Sequence, residues 1–346
     1  MYTELHARSA FSFLAGASLP EELIEVCAER GMGAMAVLDR DGMYGAPRFY
    51  MAAQKSNVRA LVGAEVTSEE GWRYPLLVES ANGYRNICRL ITRMKMRARK
   101  GEGRISRAEM NDQLGNDATG LVCLTGGEEG PLAHALASGG MPAAIQCVQQ
   151  LCELFGKRNV YVELQRHYCR DEEVRNQRAL EIARKLNLPV LATNGVSHAL
   201  PEQRELLDVF SCVRHHRTLA TAGRLLARNA ERHLKTPAEM ERLFADLPEA
   251  LANTQELAAR LQFTLNDLGY RFPIYPVPDG RSQMQFLRDR TYDGMLHRYG
   301  ADNERARRQI AHELAVIEKL ELPGYFLIVW DIIRFCGEQN ILVQGR

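Results

Sequence analysis

Alternation constrains this chain most. Over the first 200 residues, short apolar runs trade places with amphipathic stretches of helical period. Candidate strands lie at 2–6, 34–38, 58–66, 74–79, 120–124, 159–164 and 189–193, most of them ending on Gly, Asp or Asn. Candidate helices lie at 20–30, 44–56, 81–99, 141–155 and 171–187. The first has Ser18 placed as N-cap, Pro20 in its first turn and Gly31 as its stop. Repeated strand–helix–strand order predicts a parallel sheet with helices packed outside it, in an α/β fold. About seven strands fit either a barrel or an open doubly wound sheet, and periodicity does not choose between them.

From about 200 the pattern becomes helical only, at Glu202–Cys212, Thr221–Arg228, Pro237–Phe244 and Glu249–Leu261. A proline-rich joint follows, Phe272-Pro273-Ile274-Tyr275-Pro276-Val277-Pro278, which cannot continue a helix and places a domain boundary there. A chain of 346 residues exceeds the usual size of a single core, consistent with that division. Beyond the joint, 282–299 and 303–320 read as helices. Tyr325–Cys336 reads as a third, apolar almost all round and expected to be buried. The chain stops on the apolar run Ile341-Leu342-Val343, entering a Gly345-Arg346 turn, and reads as cut short.

A net charge of +1 gives no bulk attraction to nucleic acid or membrane, so such contacts must come from local patches. The eight cysteines form no Cys-x-x-Cys pair, which argues against a structural zinc site. With no secretory pattern at the start, free thiols in a reducing cytoplasm are expected. No apolar run reaches the ~18 residues of a membrane span.

Several segments together resemble one family, the bacterial C-family DNA polymerase III alpha subunits, and within it the error-prone, damage-tolerant branch. They are Glu4-Leu5-His6-Ala7-Arg8-Ser9, Ala36-Val37-Leu38-Asp39-Arg40-Asp41-Gly42, Gly63-Ala64-Glu65, Leu124-Thr125-Gly126-Gly127-Glu128-Glu129-Gly130-Pro131, Ala192-Thr193-Asn194-Gly195 and Leu322-Pro323-Gly324-Tyr325-Phe326-Leu327-Ile328-Val329-Trp330-Asp331. The resemblance implies a PHP domain over 1–272: a distorted (β/α)7 barrel over about 1–200, then a helical section over about 200–265. The start of a polymerase palm over 273–346 would follow. It also implies that the polymerase aspartates, which hold Mg2+, lie beyond Arg346.

PHP chemistry needs His, Asp and Glu side chains converging at strand ends, where bound ions activate a water. By the resemblance, the ligand positions of this chain are His6, Arg8, Ala15, Arg40, Glu65, a position near Pro75, one near Gly127, Gly195 and Ser197. Only His6 and Glu65 keep a ligand. Arg8 and Arg40 stay protonated and would oppose a nearby dication. The favoured expectation is a metal-free barrel in which arginines replace the ions by pairing with Glu4, Asp39, Glu65 and Glu163. Its alternative is a relic site of His6, Glu65, Asp39 and Glu163, with His167 or His198, around one ion.

Arg89, Arg93, Lys95, Arg97, Arg99, Lys100, Arg104 and Arg107 form a basic run. Arg93, Lys95, Arg97, Arg99 and Lys100 are its candidates for DNA contact, against the plainer reading of a solvated helix face. Arg214, Arg217, Arg224 and Arg228 form a second cluster, and neither has interleaved aromatics for base stacking. His215 and His216 read as solvated. Gly345 and Arg346 match the edge of the family's nucleotide-phosphate loop. The resemblance implies an error-prone polymerase acting in translesion synthesis and repair. Its partners would be template-primer DNA, dNTPs, a sliding clamp and mutagenesis-complex proteins, with no membrane. The rival functions are an active metal-dependent phosphoesterase or 3'-5' proofreading exonuclease, and a non-catalytic interaction module.

Overall fold

Seven strands form where the apolar runs stand: β1 Glu4–Ala7, β2 Ala34–Arg40, β3 Arg59–Thr67, β4 Arg73–Val78, β5 Leu121–Leu124, β6 Val160–Leu164 and β7 Val190–Ala192. The computed structural model describes residues 2–114, 120–268, 272–278 and 280–344. The expected phosphate-loop residues Gly345 and Arg346 lie outside the described residues. The strands are ordered β1 to β7 in one curled sheet. Past β7, Val196 bridges back to Ala7 of β1, with Arg8 N–H on Val196 O at 2.8 Å and Val196 N–H on His6 O at 3.0 Å. The sheet thus meets itself at the carboxyl ends of its edge strands.

The sheet is not wholly parallel as expected. β4 runs antiparallel to both β3 and β5. The physical reason is connection length: only 68–72 separate β3 from β4, too few for a crossover helix. Helices otherwise fall between strands: α1 Pro20–Glu29, α2 Ala46–Lys55, α3 Ala81–Met96, α4 Arg107–Leu114, α5 Pro131–Phe155 and α6 Arg170–Leu186. α4 went unanticipated, because Met110 and Leu114 give its apolar face too little repetition to read. α5 starts ten residues earlier than expected, at Pro131, and two helical stretches meet at Gly140 (φ 64°). Ser18 does not cap α1. Its hydroxyl bonds Gln203 Oε1 at 2.6 Å and Ala199 N–H at 2.8 Å, while Leu19 stands at the cap with its N–H on Glu22 Oε2 at 2.9 Å.

Alternation along the strands sorts two cores. Met35, Val37, Val62, Ala64 and Val66 face the outer helices, with Phe49, Ile87 and Leu90 packed there. Leu38, Leu61, Leu77, Val122, Tyr161 and Leu191 fill the interior. The helical section adds α7 Arg204–His215, α8 Leu219–Ala222, α9 Pro237–Leu243 and α10 Pro248–Arg260. α10 closes the floor, sending Leu257 and Ala258 into the inner core. Polar bonds tie it to the strand starts: Thr254 Oγ1 accepts from Thr3 N–H at 3.1 Å, and Asn253 Nδ2 donates to Val190 O at 2.7 Å. Only the carboxyl ends of the strands are left to open on a cavity.

Two compact units divide the chain, Met1–Leu268 and Gly269–Arg346. The second holds α11 Gln283–Tyr299, α12 Glu304–Lys319 and α13 Pro323–Glu338 around Leu287, Leu314 and Leu327. The expectation that the third helix is buried fails. Ile332, Ile333 and Phe335 are exposed, because a three-helix unit packs only one face of α13.

Candidate functional site

At the carboxyl ends of β2, β3, β6 and β7, the interior parity that carries Leu38, Leu61, Tyr161 and Leu191 continues to Arg40, Glu65, Glu163 and Thr193. His6 reaches the same place through an irregularity. In β1 the register runs from Glu4 opposite Met35 to Ala7 opposite Val37, three steps against two. Such a bulge re-aims the next side chain, and His6 follows the interior Leu5 into the site.

His6 is buried between two carboxylates, with Nδ1 2.7 Å from Glu163 Oε1 and Nε2 2.7 Å from Glu65 Oε1. Both ring nitrogens therefore act as donors, which makes the ring an imidazolium. Burial opposes the charge, but Glu163 and then Glu65 outweigh it and push the His6 pKa up to about 10. Arg8 grips Glu65 with both arms of its fork, Nε at 2.8 Å and Nη2 at 2.7 Å, and Nη2 also reaches Glu129 at 2.6 Å. Arg40 Nη2 bonds Glu129 at 2.6 Å, its Nε lies 3.5 Å from Glu65, and Arg73 bonds Glu129 as well. Burial works against the Glu65 charge, yet Arg8 and His6 hold its carboxyl well below the usual range. Arg8, Arg40 and Arg73 do the same for Glu129.

The expected pairing of arginines with four carboxylates holds only at Glu65. Among the described residues, Glu4 is held by Tyr2 Oη at 2.6 Å, His6 N–H at 2.7 Å and Asn194 N–H at 2.8 Å. Asp39 takes Ser9 N–H at 2.8 Å and the hydroxyls of Ser9 and Ser12. Glu163 takes His6, Thr193 and Gln165. The reason is position: Arg8 and Arg40 stand nearest the mouth, where their forks reach Glu65 and Glu129. Burial outweighs the neutral donors on both, and the His6 charge near Glu4, so the Glu4 and Asp39 pKa values rise.

Glu129, Arg73, Gln165 and Arg232 were not anticipated. Glu129 lay in the Leu124–Pro131 segment, and its acid type was the only available signal. Gln165 fills the space beside two of the positions that the resemblance marks as ligands. A Cβ on Gly127 would stand 2.3 Å from Gln165 Oε1, and one on Gly195 (φ +53°) 2.6 Å from Gln165 Nε2 and 2.9 Å from Arg232. The side chains of Gln165 and Arg232 occupy the space that ligands at 127 and 195 would need.

These residues do not fit a divalent ion. Both oxygens of Glu65 face guanidinium groups, both nitrogens of His6 are engaged, and three arginines surround Glu129. Glu163 Oε2 is buried without a hydrogen-bond partner among the described residues, but one oxygen beside that much positive charge makes no cation site. The alternative relic set does not assemble. His167 bonds Glu172 at 2.7 Å and Asn194 O at 2.9 Å, and His198 Nδ1 lies 2.9 Å from Leu200 O.

The basic run is partly committed. Lys95 bonds the Tyr44 hydroxyl, and Arg97 pairs with Glu109 and bonds Arg104 O. Arg93, Arg99 and Lys100 are exposed. Of the second cluster, Arg214, Arg224 and Arg228 line the cavity above the site. His215 and His216 are exposed, as expected.

The PHP domain family matches residues 4–167, the span holding His6, Arg8, Arg40, Glu65 and Glu129. The chain carries a PHP domain. The bacterial DNA polymerase III alpha NTPase domain matches residues 285–346. Over its whole length the chain is 38% identical to an error-prone DNA polymerase of Mycolicibacterium paratuberculosis and 35% identical to one of Xanthomonas axonopodis pv. citri. It spans 32% and 31% of those relatives, about a third of their length. Among solved structures, a lesion-specific endonuclease from Pyrococcus furiosus aligns at 13% identity and a TM-score of 0.36, over 57% of this chain and 48% of that one. Among the described residues no helix is long and apolar enough to cross a membrane.

Proposed function

We propose that this chain is the N-terminal portion of a cytoplasmic error-prone DNA polymerase, and that its PHP barrel is a metal-free, non-hydrolytic support. One observation carries the second part. At the PHP ligand positions, Arg8 and Arg40 sit on Glu65 and Glu129, where ions would have to sit. Guanidinium forks satisfy buried carboxylates bidentately and leave no Lewis acid to activate water.

The polymerase reading is supported by identity along the whole chain to proteins named error-prone DNA polymerase. Nucleotidyl transfer would then need Mg2+ held by carboxylates beyond Arg346, so this chain alone incorporates no nucleotide. Template-primer DNA and dNTPs are the substrates of the whole protein. A sliding clamp and mutagenesis-complex proteins are partners implied by resemblance. Arg93, Arg99 and Lys100, exposed on one helix end and the turn after it, are accessory DNA contacts in this reading.

Two measurements test the proposal. After dialysis, metal analysis of the purified chain should find no stoichiometric zinc, manganese or iron, and a phosphodiester nuclease assay should show no chelator-sensitive cleavage. Stoichiometric metal, or hydrolysis abolished by His6→Ala, would overturn the silent barrel. Primer extension by the full-length protein tests the polymerase part, and no incorporation there would sink it.

A further inference from the structure

α7, in the first unit, has its amphipathicity reversed. Leu207, Ser211, Arg214 and His215 line the barrel-mouth cavity, and Asp208, Ser211 and Cys212 are buried. Polar bonds hold that side down. Ala227 N–H donates to Asp208 Oδ1 at 3.1 Å, and Arg204 Nη2 donates to Ala227 O at 2.9 Å and lies 3.1 Å from Asp208. Leu206, Val209 and Val213, spaced i, i+3 and i+7, lie on the opposite side and are 42%, 43% and 55% exposed. The half-buried Phe210 flanks them, and Leu219, just past the helix end, is exposed as well. A surface helix ordinarily turns such a stripe towards its own core. Single exposed apolar residues need no account, but a stripe in helical register marks an interaction surface.

The charges at the two ends of the helix say what covers it. Glu202 and Glu205 are exposed at its amino end, and His215, His216 and Arg217 are exposed at its carboxyl end. The side chains of Glu205 and Arg217 make no ion pair among the described residues. A helix that is acidic at one end, basic at the other and apolar between them is complementary to itself when reversed. An antiparallel copy sets each acidic end against the other's basic end, whereas a parallel copy sets like charge on like. Antiparallel pairing is also what a two-fold axis across the helix generates, with the same patch used on both sides.

We propose that α7 is a self-association surface on which a second copy of this chain pairs antiparallel about a two-fold axis. Leu206 of one copy meets Val213 of the other, Val209 and Phe210 meet across the axis, and Glu205 faces the basic end around Arg217. These side chains alone fall short of the ~800 Å² per partner of a standard interface, so the dimer is weak and reversible. The pairing rests on α7 and is independent of whether the barrel below it holds metal.

The test is sedimentation velocity of the whole chain over about 5–300 µM, where a rise towards the mass of a dimer is expected with a Kd of about 10–100 µM. Val213→Glu should weaken pairing about tenfold or more. Its side chain is exposed, so the variant keeps the fold, as near-ultraviolet circular dichroism would check. Glu205→Arg and Arg217→Glu should each weaken pairing about threefold. The two reversals combined should recover most of the lost affinity, which damage to the fold would not do. A chain that stays monomeric across the range, or a dimer indifferent to Val213→Glu, overturns the proposal. So does a double reversal that recovers nothing, since the contact would then lie elsewhere. The full-length protein should show the same concentration dependence. If it stays monomeric while this chain pairs, its remaining polypeptide covers α7 and the proposal fails.

Discussion

The basic run that ends α3 and the arginines of the barrel mouth carry comparable charge and live in opposite surroundings. The run, from Arg89 to Arg107, is consecutive along the chain, lies mostly in solvent, and finds local partners such as Tyr44 and Glu109. The mouth set is scattered from Arg8 to Arg232, and its members arrive on strand ends, helices and loops far apart in the chain. Solvent screens the first set, so each of its charges contributes little to folding. At the mouth, Arg8 and Arg40 share the buried Glu65 and the half-buried Glu129, and removing Glu65 leaves its partners stranded in low dielectric. Adjacency in sequence thus marks a surface, whereas convergence from distant positions marks a site.

The sharpest way to break that comparison is Glu65→Gln. It leaves His6, Arg8 and Arg40 without their shared anion, and unfolding free energy should drop by about 3–5 kcal/mol in denaturant titrations. A loss under about 1 kcal/mol would mean that the mouth network is as weakly coupled as the surface run.

Titration of His6 comes next. Its folded pKa, about 10, is raised above the ordinary 6.5, so its stabilisation is complete below about pH 6.5 and fades as pH climbs through 10. Glu65 and Glu163 have lowered values, so their contribution is complete above about pH 4.5 and fades in acid. The native chain should lose about 3–4 kcal/mol more than His6→Asn between pH 7 and 10. Parallel curves for the two proteins would show that His6 is neutral in the fold.

Asp39→Asn should cost less, about 1 kcal/mol, because its partners are hydroxyl and amide donors rather than cations. A cost equal to that of Glu65→Gln would erase the distinction between the two ways of holding a carboxylate. The smallest effect belongs to the surface run: Arg99→Ala/Lys100→Ala should stay within about 0.5 kcal/mol of the native protein in thermal melts.

Much of the architecture was legible because parity and period are local. All seven strands were readable from apolar runs of the right length, and the change at about 200 from alternating to helical pattern was plain. The antiparallel β4 was also written there, in a connection too short for a helix, but period alone does not register direction. His6, Arg8, Arg40 and Glu65 were reachable one residue at a time. Glu65 was legible as an arginine partner, but Glu129 was not, because pairing is set by the barrel. Glu129 sits 121 residues from Arg8 and 89 from Arg40, and no spacing rule links them. The exposed face of α13 was misjudged because apolar composition reports what a helix could bury, not how many neighbours it has.

The side chain of Gln165 has a consequence for reversibility. It stands against both Gly127 and Gly195, and Gly195 has a left-handed backbone that a larger residue adopts only under strain. A side chain placed at either glycine would have to displace Gln165. The newcomer would collide with Gln165, and at 195 with Arg232, while Arg8 and Arg40 still repelled the ion. At these two positions of the barrel an added side chain meets crowding as well as charge.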